Sequence, residues 1–357
     1  MTTPAIAETN EVLRFSIRTP QQLARRVTEV AATEYFIDGL LPAQSLSLVI
    51  GDSGLGKSPL LYQAATAVAA GIPFLSRPTR QGRVLYLDCE NGIAQVDGIV
   101  VQVSKCLEID APGDLRLWNL NDSDERPALE ALIKEAEPAW VIVDPLKAFY
   151  PDIENKSENV TRAYQELRRL MQAHNCSITG IHHIRKPSDD PDRSRPPLDG
   201  PNFREWFLQA RGARELINGC DVRLGVDRSG WSDDHSKLIL RGFARVRGDT
   251  SPIQLIRILD DDGEPMGFGQ LSGVDLLSNP EQRAAYSFLP DRFRFKEATA
   301  VYRRSDQATT DFLNNCLAAG LLRKLEGRSG YEKIAAAPQA GVSGVSPPES
   351  GMSMIIN

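Results

Sequence analysis

Gly51-Asp52-Ser53-Gly54-Leu55-Gly56-Lys57-Ser58 is the stretch on which the reading of this chain turns. It follows the pattern G-x-x-x-x-G-K-S, the signature of a loop that cradles phosphates. Leu46-Ser47-Leu48-Val49-Ile50 precedes it, a short apolar run that reads as a buried strand. Pro59 to Ala70 follows, rich in Leu and Ala, and reads as a helix. A strand-to-helix turn is the context that makes the pattern meaningful. The glycines let the backbone approach phosphate oxygens, and the N–H groups at the helix start attract negative charge. Lys57 is placed to reach the β- and γ-phosphates, and Ser58 to offer its hydroxyl to Mg²⁺. Pro59 falls in the first helical turn, where a missing N–H costs little. A glycine-rich turn with a chance Lys-Ser is the bland alternative, and it leaves the flanking strand and helix unexplained.

Working outward, three further apolar runs end in polar residues. Arg83-Val84-Leu85-Tyr86-Leu87-Asp88-Cys89-Glu90-Asn91 reads as a second buried strand ending in acids. A carboxylate there can polarise the water that attacks a γ-phosphate, and Glu90 and Asp88 compete for the role. Trp140-Val141-Ile142-Val143-Asp144-Pro145-Leu146 is a strand ending in Asp144, whose carboxylate can hold the Mg²⁺ shell together with Ser58. Cys176-Ser177-Ile178-Thr179-Gly180-Ile181-His182-His183 ends in two histidines. They fit a sensor of the γ-phosphate, a satisfied histidine pair, or a metal site whose other ligands are not visible in the sequence.

The remaining segments set the organisation. Gln21 to Ala32 reads as a helix packing on the core after a frayed start. Arg126 to Glu137 and Val160 to His174 read as amphipathic helices, and the arginines of the second, Arg162, Arg168 and Arg169, as a solvated face. Ile184 to Phe203 mixes Arg185, Lys186, Arg193 and Arg195 with aspartates and prolines and reads as a long loop able to meet phosphates. Glu205 to Asn218 reads as a helix carrying Gln209-Ala210-Arg211-Gly212-Ala213-Arg214, and Leu238 to Val246 with Ile253 to Leu259 as a closing β-pair. Beyond residue 278 three short helices and a β-wing follow. Ten Lys/Arg against seven Asp/Glu between Glu281 and Lys333 make that region mildly basic, as a DNA-contacting or protein-contacting wing would be. Residues 337–357, rich in Gly, Ser and Pro, read as disordered.

Composition narrows the class. The net charge of −6 rules out a global basic signature, so any nucleic-acid site is a local strip. The five cysteines include no C-x-x-C pair, which argues against a zinc site and fits a reducing cytoplasm. No apolar run reaches the ~18–20 residues needed to cross a bilayer, and the start of the chain lacks the pattern of a signal peptide.

Phosphate loop, Tyr86-Leu87-x-x-Glu90, Val143-Asp144, His182-His183 and Arg211-Gly212, in that order, resemble the RecA-like core ATPases of the hexameric replicative-helicase type. Tyr35 to Leu259 looks closest to the plasmid RepA helicase branch. The resemblance implies an α/β, RecA-like P-loop NTPase with a mainly parallel sheet and a small C-terminal winged-helix domain. The expected division is 1–34 N-terminal segment, 35–278 ATPase core, 279–336 winged helix and 337–357 tail. It implies ATP and Mg²⁺ as cofactors, with Gly51, Asp52, Ser53, Gly54, Leu55, Gly56, Lys57 and Ser58 binding nucleotide and Ser58 and Asp144 holding the metal. Glu90 matches the catalytic base and His183 the γ-phosphate sensor. Arg211 matches an arginine finger given to a neighbouring subunit, with Arg214 as its rival. A cytoplasmic homo-oligomeric ring, a hexamer in that family, acting on single-stranded DNA is the implied partner set, and replication of a plasmid, phage or mobile element the implied setting. An ATP-regulated recombination or regulatory DNA switch without unwinding is the alternative.

Overall fold

The computed structural model describes residues 34–122, 127–184, 196–212, 214–229, 237–245, 248–271, 273–277, 279–325 and 330–334. Of the expected 1–34 segment all but Glu34, including the helix read over Gln21 to Ala32, and the whole expected 337–357 tail and most of the loop after His183 lie outside these residues.

A β-ribbon of β1 (Tyr35–Ile37) and β2 (Leu41–Pro42) leads into β3 (Leu46–Gly51), the phosphate loop and helix α1 (Lys57–Ala70). Then come β4 (Val84–Asp88), α2 (Ile93–Cys106), β5 (Leu115–Asn119), α3 (Leu129–Ala136) and β6 (Trp140–Asp144). Helices α4 (Leu146–Phe149) and α5 (Ser157–His174) precede β7 (Ser177–His183), and the short helices α6 (Phe203–Trp206) and α7 (Glu215–Gly219) precede β8 (Val222–Arg228). The chain then turns antiparallel through β9 (Lys237–Ala244), β10 (Gly248–Asp249), β11 (Ile253–Leu259) and β12 (Pro265–Gln270).

These strands form one ten-stranded sheet in the order β12-β11-β9-β8-β3-β7-β6-β4-β5, with β10 on β9. The six strands from β8 to β5 are parallel. Their buried faces explain their sequences: every residue of β4 (VLYLD) and β6 (WVIVD) is buried, as expected of central strands covered on both sides. The indole of Trp140 is 1% exposed and donates to Thr179 Oγ1 at 2.9 Å, so its one polar atom is satisfied in the core.

One face of the sheet, with the β11–β12 hairpin at its end, packs on α1 and α2, and the other on α3, α5, α6 and α7. Helix α1 has no polar face to speak of. Tyr62, Gln63 and Thr66 are buried along with its leucines and alanines, so it is covered on the side away from the sheet too. The cover is α2 together with the hairpin, whose backbone at Phe268 is held by the Gln63 carboxamide. Phe268 N–H donates to Gln63 Oε1 at 2.8 Å and Gln63 Nε2 donates to Phe268 O at 2.9 Å. That pairing satisfies the backbone N–H and carbonyl of Phe268 on the last strand.

The helix expected over Glu205 to Asn218 is instead two short helices separated by a turn. Gly212 breaks it: it adopts φ +88°, and a Cβ there would lie 2.9 Å from Glu154 Cα. Arg211 therefore sits on a turn.

After the sheet, α8 (Pro280–Phe288), α9 (Phe295–Tyr302) and α10 (Asp306–Ala318) form a separate small core with the three-stranded sheet β13 (Arg292–Phe293), β15 (Tyr331–Lys333), β14 (Leu322–Lys324). Of the α5 arginines, Arg168 pairs with Asp221 at 2.9 Å and Arg169 with Glu130 at 2.7 Å.

Candidate active site

Strand register brings the functional ends level. Gly51 pairs with His183 across β3 and β7, and Asp88 with Asp144 across β4 and β6. The phosphate loop therefore opens at the C-terminal edge of the parallel strands, where α/β sheets bind ligands. β7 lies between the loop strand and the Asp144 strand, which puts His183 between the two.

A cleft of about 390 Å³ at this edge is lined by Ser53, Gly54, Lys57, Ser58, Glu90, Asp144 and His183, among others. Five of the eight expected phosphate-loop residues, with the expected base, metal-shell and sensor residues, thus face one space; Gly51, Asp52 and Leu55 do not line it. His183 Nε2 stands 3.9 Å from Glu90 Oε2, and the Glu90 side chain is 57% exposed. Lys57 Nζ donates to Asp52 O at 2.7 Å, folded onto its own loop. Burial lowers the Lys57 pKa, opposed by the charges of Asp144, Glu90 and Asp52. Burial, then the positive charge of Lys57, lowers that of His183 and favours its neutral form. His183 Nδ1 is buried and has no hydrogen-bond partner among the described residues.

The two contests left open by the sequence separate on contacts. Asp88 is 1% exposed, and its carboxylate is occupied. Its Oδ1 accepts the N–H of Glu90 at 3.0 Å and of Asn91 at 2.9 Å, while its Oδ2 accepts Tyr62 Oη at 2.9 Å and Asn91 Nδ2 at 2.8 Å. Asp88 builds the turn that carries Glu90; Glu90 faces the cleft. Likewise His182 is buried, with Nε2 2.8 Å from Arg211 O, whereas His183 lines the cleft. Arg211 N–H donates to His183 O at 3.1 Å, so the Arg211 turn is pinned to the end of β7.

Asp144 is a strongly perturbed acid. Burial pushes its pKa up to about 6, against hydrogen bonds from Ser58 and Tyr86, the latter 2.8 Å to Tyr86 Oη. A buried carboxylate beside a serine hydroxyl at a phosphate loop is an oxygen-donor pair suited to Mg²⁺, which takes few protein ligands and completes its shell with phosphate and water. His182 and His183 belong to no cluster of three or more His, Cys, Asp or Glu among the described residues that could hold a metal.

Sequence reasoning missed the third wall. β12 contributes Pro265, Met266, Gly267 and Phe268 to the cleft, α2 contributes Gln95, Ile99, Gln102 and Val103, and Arg257 of β11 lines it too. Arg257 Nη2 donates to the loop carbonyls of Gly54 at 3.2 Å and Leu55 at 3.1 Å. A Cβ on Gly56, at φ +91°, would lie 2.8 Å from Phe268 Cζ, so the hairpin rests directly on the loop. The all-round burial of α1 is the one sequence-level trace of this cover.

A family model for an AAA domain matches residues 14–189, which span the loop, Glu90, Asp144 and His183. The DNA repair protein RadA of Streptococcus pneumoniae (strain ATCC BAA-255 / R6) is 23% identical over 183 residues, 50% of this chain and 39% of that protein. RadA of Streptococcus pyogenes serotype M6 (strain ATCC BAA-946 / MGAS10394) is 25% identical over 167 residues, 45% of this chain and 33% of that protein. The chain spans well under half the length of these curated relatives. The crystal structure of the RadB recombinase is 18% identical, with a TM-score of 0.42, over 64% of this chain and 92% of that one. The domain match and the RadA likeness support a RecA-like P-loop ATPase. No helix among the described residues is long and apolar enough to cross a membrane.

Proposed function

We propose that the protein hydrolyses ATP with Mg²⁺ and couples hydrolysis to DNA. The observation that carries this reading is the convergence of Lys57, Ser58, Glu90, Asp144 and His183 on one cleft. Loop N–H groups and Lys57 take the phosphates, and Ser58 and Asp144 hold the metal. Bound Mg²⁺ supplies charge neutralisation on the phosphate oxygens. Glu90, its backbone N–H fixed by Asp88, accepts a proton from the attacking water. His183, neutral and beside Glu90, donates to or releases the γ-phosphate and so reports its presence. Arg211 completes the site of a neighbouring subunit in a head-to-tail assembly, such as a hexameric ring.

Two DNA-coupled readings divide at this point. A plasmid- or phage-type replicative helicase fits the order of the motifs. A recombination or repair ATPase that switches DNA binding without unwinding fits the RadA relatives, named as DNA repair proteins. The second is the one we favour. The unit at residues 279–336, of winged-helix type, serves as an accessory contact for DNA or protein. We assign the reaction to the cytoplasm, in keeping with a chain whose cysteines form no C-x-x-C pair.

ATP turnover measured with and without single-stranded DNA, followed by a strand-separation assay, tests the reading. Stimulation by DNA without unwinding is expected. Unwinding would restore the helicase reading, and turnover indifferent to DNA would remove the coupling.

A further inference from the structure

The phosphate loop accounts for only one end of the cleft. Beyond it, α2 presents Gln95, Ile99, Gln102 and Val103, spaced to share one helix face, opposite Pro265 to Phe268 of the hairpin. Ile99 and Val103 with Pro265, Met266 and Phe268 make a slot with apolar walls and two carboxamides, the make-up of a site for a flat heterocycle.

One of those carboxamides is set in a fixed sense. Gln102 Nε2 donates to Asp260 Oδ2 at 3.3 Å. Asp260 is itself held by the hairpin turn, its Oδ1 accepting the N–H of Asp262 at 3.1 Å and of Glu264 at 2.8 Å. With its amino group committed to Asp260, the amide presents its oxygen as an acceptor. Gln102 Oε1 is buried and has no hydrogen-bond partner among the described residues. A buried, unpaired acceptor in a ligand cleft calls for a donor from the ligand.

We infer that Gln102, oriented by Asp260, reads the 6-position of a purine and selects adenine nucleotides over 6-oxopurine nucleotides. Adenine carries an amino donor at that position. Guanine and hypoxanthine carry a carbonyl oxygen, which would face Gln102 Oε1 acceptor to acceptor. The amide cannot turn over to accommodate them without giving up Asp260. Base identity is thus read by a contact between the two parts of the chain that close the cleft, α2 and the hairpin turn. The inference rests on the nucleotide-binding reading of the cleft, and the test separates the two.

The test is displacement of a methylanthraniloyl-labelled ADP by ADP, inosine diphosphate (IDP) and GDP from the full chain. ADP and IDP differ at the 6-substituent and the adjacent ring N–H. The wild type is expected to prefer ADP over IDP by about tenfold or more, in keeping with a site built to bond a polar group. Gln102→Leu should bring the two within about threefold of each other, chiefly by weakening ADP. Asp260→Ala, which frees the amide to turn, should narrow the ratio by strengthening IDP. An ADP:IDP ratio unchanged in both variants overturns the inference and leaves nucleotide binding standing. A wild type that holds the labelled ADP no more tightly than Lys57→Ala does overturns the inference together with the reading beneath it.

Discussion

Tyr62 and Tyr86 stack face to face, their ring centroids 3.8 Å apart and their planes 9° from parallel, and each donates its hydroxyl to a different buried carboxylate. Tyr62 belongs to the helix that follows the phosphate loop and serves Asp88; Tyr86 belongs to β4 and serves Asp144. Asp144, the proposed metal-shell acid, and Asp88, which shapes the Glu90 turn, are therefore joined through one aromatic pair. Burial, reinforced by the adjacent carboxylates, raises both phenol pKa values, so both tyrosines stay donors.

Asp88 holds the backbone of Glu90, the proposed base, so its substitution should show in kcat. Glu90→Gln, which removes the proton acceptor, should lower kcat by about 10²–10⁴ while leaving ATP bound. Asp88→Ala removes the acceptor of the Glu90 and Asn91 N–H groups and leaves Tyr62 unpaired. It should lower kcat at least about tenfold with little change in KM, and cost about 1–3 kcal/mol of stability. Asp88→Asn keeps one acceptor oxygen and should recover much of the loss in kcat. Steady-state kinetics on all three, with thermal melts, check this; equal kcat in Asp88→Ala and wild type would sink it.

Asp144 gives the site a pH dependence of definite sign. Its pKa is about 6 in the folded chain against 3.8 in the unfolded one, so the folded state holds its proton more tightly. That contribution to stability is complete below pH 3.8 and is lost as pH rises through about 6, at up to about 1.4 kcal/mol per pH unit. His182 and His183, lowered by burial, oppose it, because the folded state then disfavours their charged forms up to their unfolded pKa. The difference in melting temperature between wild type and Asp144→Asn, followed from pH 4 to pH 8, isolates the acid. The wild type should lose ground to the variant as pH rises. Mg²⁺ with ADP should restore wild type alone above about pH 6.

Gly56→Ala should loosen the hairpin from the loop. The residue would carry a side chain at φ +91° and meet Phe268 at 2.8 Å. The backbone term alone costs about 1–3 kcal/mol. Proteolytic nicking at the 260–264 turn should quicken, and nucleotide affinity should fall, more than in a variant with alanine at the solvent-facing Gly263. Identical nicking rates would show that Phe268 does not hold the hairpin down.

Arg211 is tested by mixing. A Lys57→Ala protein lacks a working phosphate loop but keeps its arginine; an Arg211→Ala protein lacks the arginine but keeps its loop. If the arginine serves a neighbour, the mixture should turn over ATP several-fold faster than either alone, because some interfaces then hold one intact loop and one intact arginine. Additive rates would assign Arg211 to its own chain, where its turn is pinned to His183.

What could be read in advance was what is local. The loop, the four apolar strands and the acids and histidines at their ends lie in short contiguous runs whose chemistry does not depend on the rest of the chain. The choice between Asp88 and Glu90 was not local: it rests on Tyr62 reaching Asp88 from a different element. Nor was the break at Gly212, forced by the backbone of Glu154 more than fifty residues earlier. The hairpin was half legible. Its first strand, Ile253 to Leu259, stood out, but Pro265–Gln270 is short, holds two glycines and begins with proline, and so gave no strand signal. Its place over the cleft was visible only indirectly, in a helix after the loop with no solvent face.

The hairpin also gives the site an order of assembly. During synthesis the phosphate loop emerges first, and its acids and histidines follow within about 130 residues. The wall that carries Phe268, and the turn that carries Asp260, are made only after every strand of the parallel sheet has been synthesised. A nascent chain therefore owns a loop long before it owns an enclosed nucleotide cleft, and a transcript cut short before residue 270 would leave α1 with one bare apolar flank, a surface that chaperones and proteases recognise.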